Sequence, residues 1–142
     1  LKSAHIVRFT GGTKDADGNV VEVQCEYDPE SRSGMPGANR RIKGTIHWLS
    51  ADHCVPCEVR LYSHLFNVEN PSADERDFRE LLNPESLQTR TNCYTEPFAA
   101  NLAPGTYLQF QRLCYATPDK SSTPEAPVFN RTVTLRDSWG GK

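Results

Sequence analysis

Val20-Val21-Glu22-Val23-Gln24-Cys25-Glu26-Tyr27 decides the fold class. Val21, Val23, Cys25 and Tyr27 fall on one side of an extended chain, with Glu22, Gln24 and Glu26 on the other. That alternation is the period of a half-buried strand. Asp15-Ala16-Asp17-Gly18, just before it, is a turn signal, so residues 4–9 and 20–27 are expected to pair as a hairpin. Further extended stretches follow at 42–49, 57–66, 107–114 and 128–135, with a weaker one at 86–94. Pro29, Gly34, Pro36, Gly37 and Asn39 mark a loop between the second and third strands.

Helical signals are few. Ser72-Ala73-Asp74-Glu75 has the spacing of a capping box, in which the serine hydroxyl takes an amide and the glutamate reaches back. Phe78, Leu81 and Leu82 would give that helix an apolar stripe, and Pro84 would end it. Pro97 suits the first position of a second short helix. Many short strands broken by Gly and Pro point to an all-β chain of small barrels or a sandwich, with a seam expected within residues 67–84.

The 142 residues suffice for one compact domain or two small ones. Sixteen Lys and Arg against eighteen Asp and Glu leave a net charge of -2, too little positive field for nonspecific binding to DNA or RNA. The chain has no apolar run long enough for a membrane helix and no signal peptide. Its only methionine is Met35, so it reads as a fragment or processed piece. Five scattered cysteines make a poor disulfide framework and suit a reducing cytoplasm.

Motifs for catalysis or metal binding are thin. Cys54-Val55-Pro56-Cys57 is half of a zinc or redox motif, but Cys93 and Cys114 stand singly, so two cysteines beside a turn is the plainer reading. No catalytic frame surrounds His5, His47, His53 or His64, and the acidic run Asp74, Glu75, Asp77 and Glu80 fits the first turn of a helix. Gly11-Gly12 lacks the strand, lysine and helix of a phosphate loop. No catalytic residue, metal or cofactor is therefore assigned to this chain. Gln109-Phe110-Gln111-Arg112 sets two amides and a guanidinium around an aromatic, groups that hydrogen-bond to base edges. Phe129-Asn130-Arg131 and Arg136 add an amide and cations. The same residues also suit the ordinary polar face of a strand.

At these positions the sequence resembles the glutaminyl-tRNA synthetases of bacterial type. Gly44-Thr45-Ile46-His47-Trp48-Leu49-Ser50-Ala51 is similar to one block of that family. Glu58-Val59-Arg60-Leu61-Tyr62-Ser63-His64-Leu65-Phe66 with Asn70-Pro71, and Leu82-Asn83-Pro84-Glu85-Ser86-Leu87, resemble the next two. Gln109-Phe110-Gln111-Arg112 and the run from Val128-Phe129-Asn130-Arg131 to Asp137 resemble the last two. The order holds from about Lys2 to Trp139.

The resemblance implies two small β-barrels with one or two short helices: most of a distal anticodon-binding barrel in residues 1–70, and part of a proximal one in 71–142. It implies that Gln109 and Arg112 read the central anticodon uridine. Gln111 stands beside them where the family usually has Glu. Lys2 stands where the family commonly has Arg, next to a reader of the first anticodon base that would precede Leu1. The implied partner is the anticodon loop of tRNA(Gln), with no DNA and no membrane, and the implied parent is a cytoplasmic, monomeric ligase using ATP and Mg. The nucleotide-binding signatures of such enzymes are absent from the chain, so the piece alone is expected to be inactive. It is also expected to self-associate through an edge strand exposed by the cut. Alternatives are the anticodon-binding region of an archaeal or eukaryotic glutamyl-tRNA synthetase, or a free-standing β-domain binding RNA or protein.

Overall fold

In a computed structural model, which describes residues 1–32 and 34–135, the chain forms two compact units, Leu1–Trp48 and Leu49–Lys142. The all-β reading holds. The described strands make a two-stranded sheet and a five-stranded sheet, neither closed into a barrel, with one four-residue α-helix.

The first unit is built on the hairpin of β1 (Val7–Lys14) and β2 (Val20–Tyr27). Its turn works as its residues suggest. The Asp15 carboxylate accepts from the Asp17 and Asn19 amides at 3.0 and 2.8 Å, and Gly18 takes φ +86°, which costs glycine little. The first strand lies later than residues 4–9, because pairing runs on through Gly11 and Gly12. A Cβ on Gly12 would stand 2.9 Å from the Glu22 carbonyl oxygen, so the close strand approach requires glycine there. The half-burial expected of β2 is absent: Val21 and Val23 are exposed, as is Tyr27. Alternation fixes which residues share a face, but only another packed element can cover that face.

No strand forms over residues 42–49. Gly44 at φ +83° breaks the extended run, and Ile42 and Ile46 stay exposed. What remains is a short side-by-side run: the Lys2 amide donates to the Ile46 carbonyl at 2.9 Å, and the Trp48 indole donates to the Lys2 carbonyl at 3.0 Å.

The second unit holds β3 (Val55–Tyr62), β4 (Leu87–Thr95), α1 (Pro97–Ala100), β5 (Leu108–Phe110), β6 (Cys114–Pro118) and β7 (Val128–Thr134), with sheet order β4-β3-β7-β6-β5. Neighbours are antiparallel except β3 and β7, which run parallel. The seam expected within 67–84 is the connection from β3 to β4, and these strands pair along their length, so it lies inside the second unit. The helix expected there does not form. Pro71–Ala73 makes one 3-10 turn, after which the Asp74 carboxylate takes the Arg76 amide and guanidinium, and Asp77 takes the Arg79 amide. Short acidic side chains have thus captured backbone groups that a helix would need. The short helix at Pro97 is present.

The main core cluster lies in the second unit. Phe129, Ala116, Cys57 and Ala99 are buried, and Val59, Cys93, Leu102, Leu108 and Phe110 pack against them. The Phe110 and Phe129 rings meet edge to face with centroids 5.2 Å apart, which ties the short edge strand β5 to the centre of the sheet.

Candidate functional site

The stretch 107–114, expected as one strand, is a hairpin. β5 ends at Phe110, Gln111, Arg112 and Leu113 turn, and β6 returns with Leu108 opposite Ala116, Gln109 opposite Tyr115 and Phe110 opposite Cys114. The Leu113 amide closes the turn on the Phe110 carbonyl at 2.9 Å. Arg112, third of those four residues, has φ +66°. A turn with a left-handed third residue normally takes Gly or Asn there. An arginine in that conformation costs about 1–2 kcal/mol, and such outliers cluster at functional sites. Among the described residues, Ser3 (φ 57°) is the other non-glycine case, and it adjoins Lys2.

Strand alternation puts Leu108 and Phe110 on the core and Gln109 with Tyr115 on the opposite, open face. The strand end after Phe110 frees Arg112 from the alternation that would have set it against Gln109. The hairpin therefore brings Gln109, Gln111 and Arg112 together, all exposed. No hydrogen bond or ion pair engages their side chains among the described residues. Lys2 belongs to the first unit, where its backbone is bonded and its side chain is exposed.

Two neighbouring polar groups, Asn130 and Arg60, are committed elsewhere. Asn130 donates to Asp119 at 2.7 Å and accepts from the Tyr62 hydroxyl at 3.2 Å, while Arg60 bridges Glu58 at 2.7 Å and Asp119 at 3.4 Å. Phe129 is core, and Arg131 lies close enough to Cys114 to favour its thiolate against burial. Phe129 and Asn130 are thus packing and bonding residues of the sheet, while Arg131 has no hydrogen-bond or ion-pair partner among the described residues. Arg136 lies outside the described residues.

The Ser121 hydroxyl, then the Asn130 amide and the Ser121 amide, with Arg60 nearby, hold the Asp119 carboxyl far below the usual carboxylate range. Arg76 likewise holds Asp74 at about 2. A depressed folded pKa stabilises above the unfolded value, near 4, and that contribution fades as pH falls through the folded value. The thermal midpoint should accordingly fall as pH drops from about 5 toward 3. Asp119→Asn should lower it at neutral pH and flatten that acid fall, as read by circular dichroism melts. An equally steep fall in the variant would show that Asp119 does not drive it.

Cys57 is buried in β3 opposite Cys93, while the Cys54 thiol donates to the Ala51 carbonyl at 3.5 Å. Burial pushes the Cys57 thiol up to about 11, against the thiolate that zinc requires. Among the described residues no three metal-ligating side chains cluster, and no helix is long and apolar enough to cross a membrane.

Fold and site together define a small β-protein whose sheet-edge hairpin carries two amides and a guanidinium with no hydrogen-bond or ion-pair partner among the described residues. Residues 45–119 match the family model described as tRNA synthetases class I (E and Q), anti-codon binding domain, and the chain belongs to that family. It is 52% identical over 141 residues to the glutamine–tRNA ligase of Bordetella avium, 50% over 142 to that of Xanthomonas axonopodis pv. citri and 48% over 143 to that of Stutzerimonas stutzeri. These alignments cover 98–99% of the chain but only 24–26% of the relatives, so the chain spans about a quarter of their length.

Proposed function

We propose that the chain reads the anticodon loop of tRNA(Gln) for a glutamine–tRNA ligase, with Gln109 and Arg112 on the central uridine, Gln111 beside them and Lys2 near the first anticodon base. One observation carries the reading: Arg112 is held in a strained turn, and neither its guanidinium nor the Gln109 amide has a partner among the described residues. Uridine offers two carbonyl acceptors and one imino donor. Arg112 supplies donors only and Gln109 supplies both kinds, whereas cytidine would turn an amino group toward a donor. With a net charge of -2, this chain contributes selectivity more than phosphate-driven affinity.

The chemistry lies in the rest of the polypeptide: ATP-dependent joining of glutamine to tRNA, with Mg, in the cytoplasm, by a monomeric enzyme. The glutaminyl reading is preferred to the glutamyl one because the relatives above are glutamine–tRNA ligases. Assigning the early residues to a distal barrel and the late ones to a proximal barrel belongs to the proposal, with two compact units in support, divided at Trp48 rather than near residue 70. Open edges of the two-stranded sheet offer a route to self-association of this chain alone.

Photo-crosslinking tests the assignment. With 4-thiouridine at the central anticodon position, the full-length ligase should crosslink in a peptide containing Gln109 to Leu113. Crosslinks confined to other peptides would refute it.

A further inference from the structure

Among the described residues, Tyr115 belongs to neither the core nor any polar network. It pairs with Gln109 across β5 and β6 and with Val133 across β6 and β7, so the three side chains form a strip over three strands on the open face. Tyr115 is 42% exposed and Val133 58%, and among the described residues no hydrogen bond, ring contact or ion pair engages Tyr115. Several other polar side chains of this face are tied, Tyr62 to Asn130 and Arg60 to Glu58 and Asp119, whereas the Thr117 hydroxyl beside Asn130 has no partner among the described residues. A half-exposed aromatic ring, an apolar neighbour on one side, a free amide on the other and a free guanidinium at the hairpin tip make a surface suited to a flat, edge-polar ligand.

We infer that Tyr115 is the stacking floor for the nucleobase whose edge Gln109 reads, with Val133 extending the apolar surface beneath it. The inference rests on the reading of the hairpin given above and adds a separate role. Directly opposed cross-strand residues have Cβ atoms about 4.5–5.5 Å apart, so a base lying on the ring brings its edge beside Gln109. Single-stranded RNA is held by such stacking, and stacking tolerates any base because every base has a π face. Tyr115 therefore supplies affinity without selectivity, while Gln109 and Arg112 supply selectivity.

The test uses the full-length ligase with Tyr115→Leu, Tyr115→Phe and Arg112→Ala, and measures Kd for three tRNAs: cognate, changed at the central anticodon base, and abasic there. Tyr115→Leu should weaken binding of both base-containing tRNAs by the same factor, roughly fivefold to a hundredfold. It should leave the abasic tRNA unaffected, and Tyr115→Phe should stay within about twofold of the parent. Arg112→Ala should instead reduce the preference between the cognate and changed tRNAs. Equal binding by Tyr115→Leu and the parent overturns the inference. So does equal weakening for the abasic tRNA, or a loss in Tyr115→Phe as large as in Tyr115→Leu. If Arg112→Ala keeps full discrimination, the base-reading assignment itself falls, whatever Tyr115 does.

Discussion

Arg112→Ala in the full-length ligase should lower aminoacylation efficiency for the cognate tRNA about tenfold to a hundredfold, and lower it less for a tRNA with a changed central anticodon base. The magnitude comes from losing one well-made base contact, roughly 1–3 kcal/mol by analogy with bidentate contacts to DNA bases. Its asymmetry follows from where the guanidinium stands. Nothing described within the chain engages it, so removal unmakes no internal bond and leaves no buried partner unsatisfied. Alanine also tolerates φ +66° poorly, so Arg112→Gly separates effects: it relieves the turn while removing the side chain, and should lose discrimination as fully. His53→Ala is the control, since among the described residues its ring hydrogen-bonds only with Ser50, at 3.1 Å on the surface. An equal loss for both tRNAs would show that Arg112 holds phosphate or the turn, and the base-reading role would be withdrawn.

Phe129→Ala should cost about 3–5 kcal/mol in denaturant unfolding, a large share of the roughly 5–15 kcal/mol that stabilises a typical domain. The ring is wholly buried at the centre of a small cluster, and its neighbours Cys57, Ala99 and Ala116 sit on three different elements that cannot all move in to fill a void. The effect should reach the hairpin, because Phe110, at the end of the three-residue strand β5, rests edge-on against that ring. Hydrogen exchange at Gln109 and Phe110 should rise in the variant more than in β4, the opposite edge strand. Phe98→Ala is the matched control: that ring is 74% exposed and its loss should stay within about 0.5 kcal/mol. Similar losses for the two variants would mean that β7 does not carry the core.

The ordered residue blocks carry the family and single out Gln109, Gln111, Arg112 and Lys2 as the proposed readers, since their amide, guanidinium and ammonium chemistry is written directly in residue types. Three strands were legible within a residue or two, at β2, β4 and β7, because alternation and flanking turn residues are local signals. The short helix at Pro97 was legible for the same reason.

The errors share a cause. Gln111-Arg112 carries no Gly, Pro, Asn or Asp, so 107–114 looked like one strand. Only the pairing of Phe110 with Cys114 reveals a hairpin, and with it the partnership of Gln109 and Tyr115. The capping box at Ser72 was a local preference, and aspartate–arginine pairs in the folded chain overrode it. Asn130 read as a possible ligand group until Asp119 and Tyr62, eleven residues earlier and far upstream, were seen to hold it. Sequence by itself determined the strand-rich class, the family and the side-chain chemistry of the residues proposed to read the anticodon, because these depend on residue type and near neighbours. Tertiary structure alone decided which polar side chains are free and which are bound, because that depends on strand register and on contacts between residues distant in the chain.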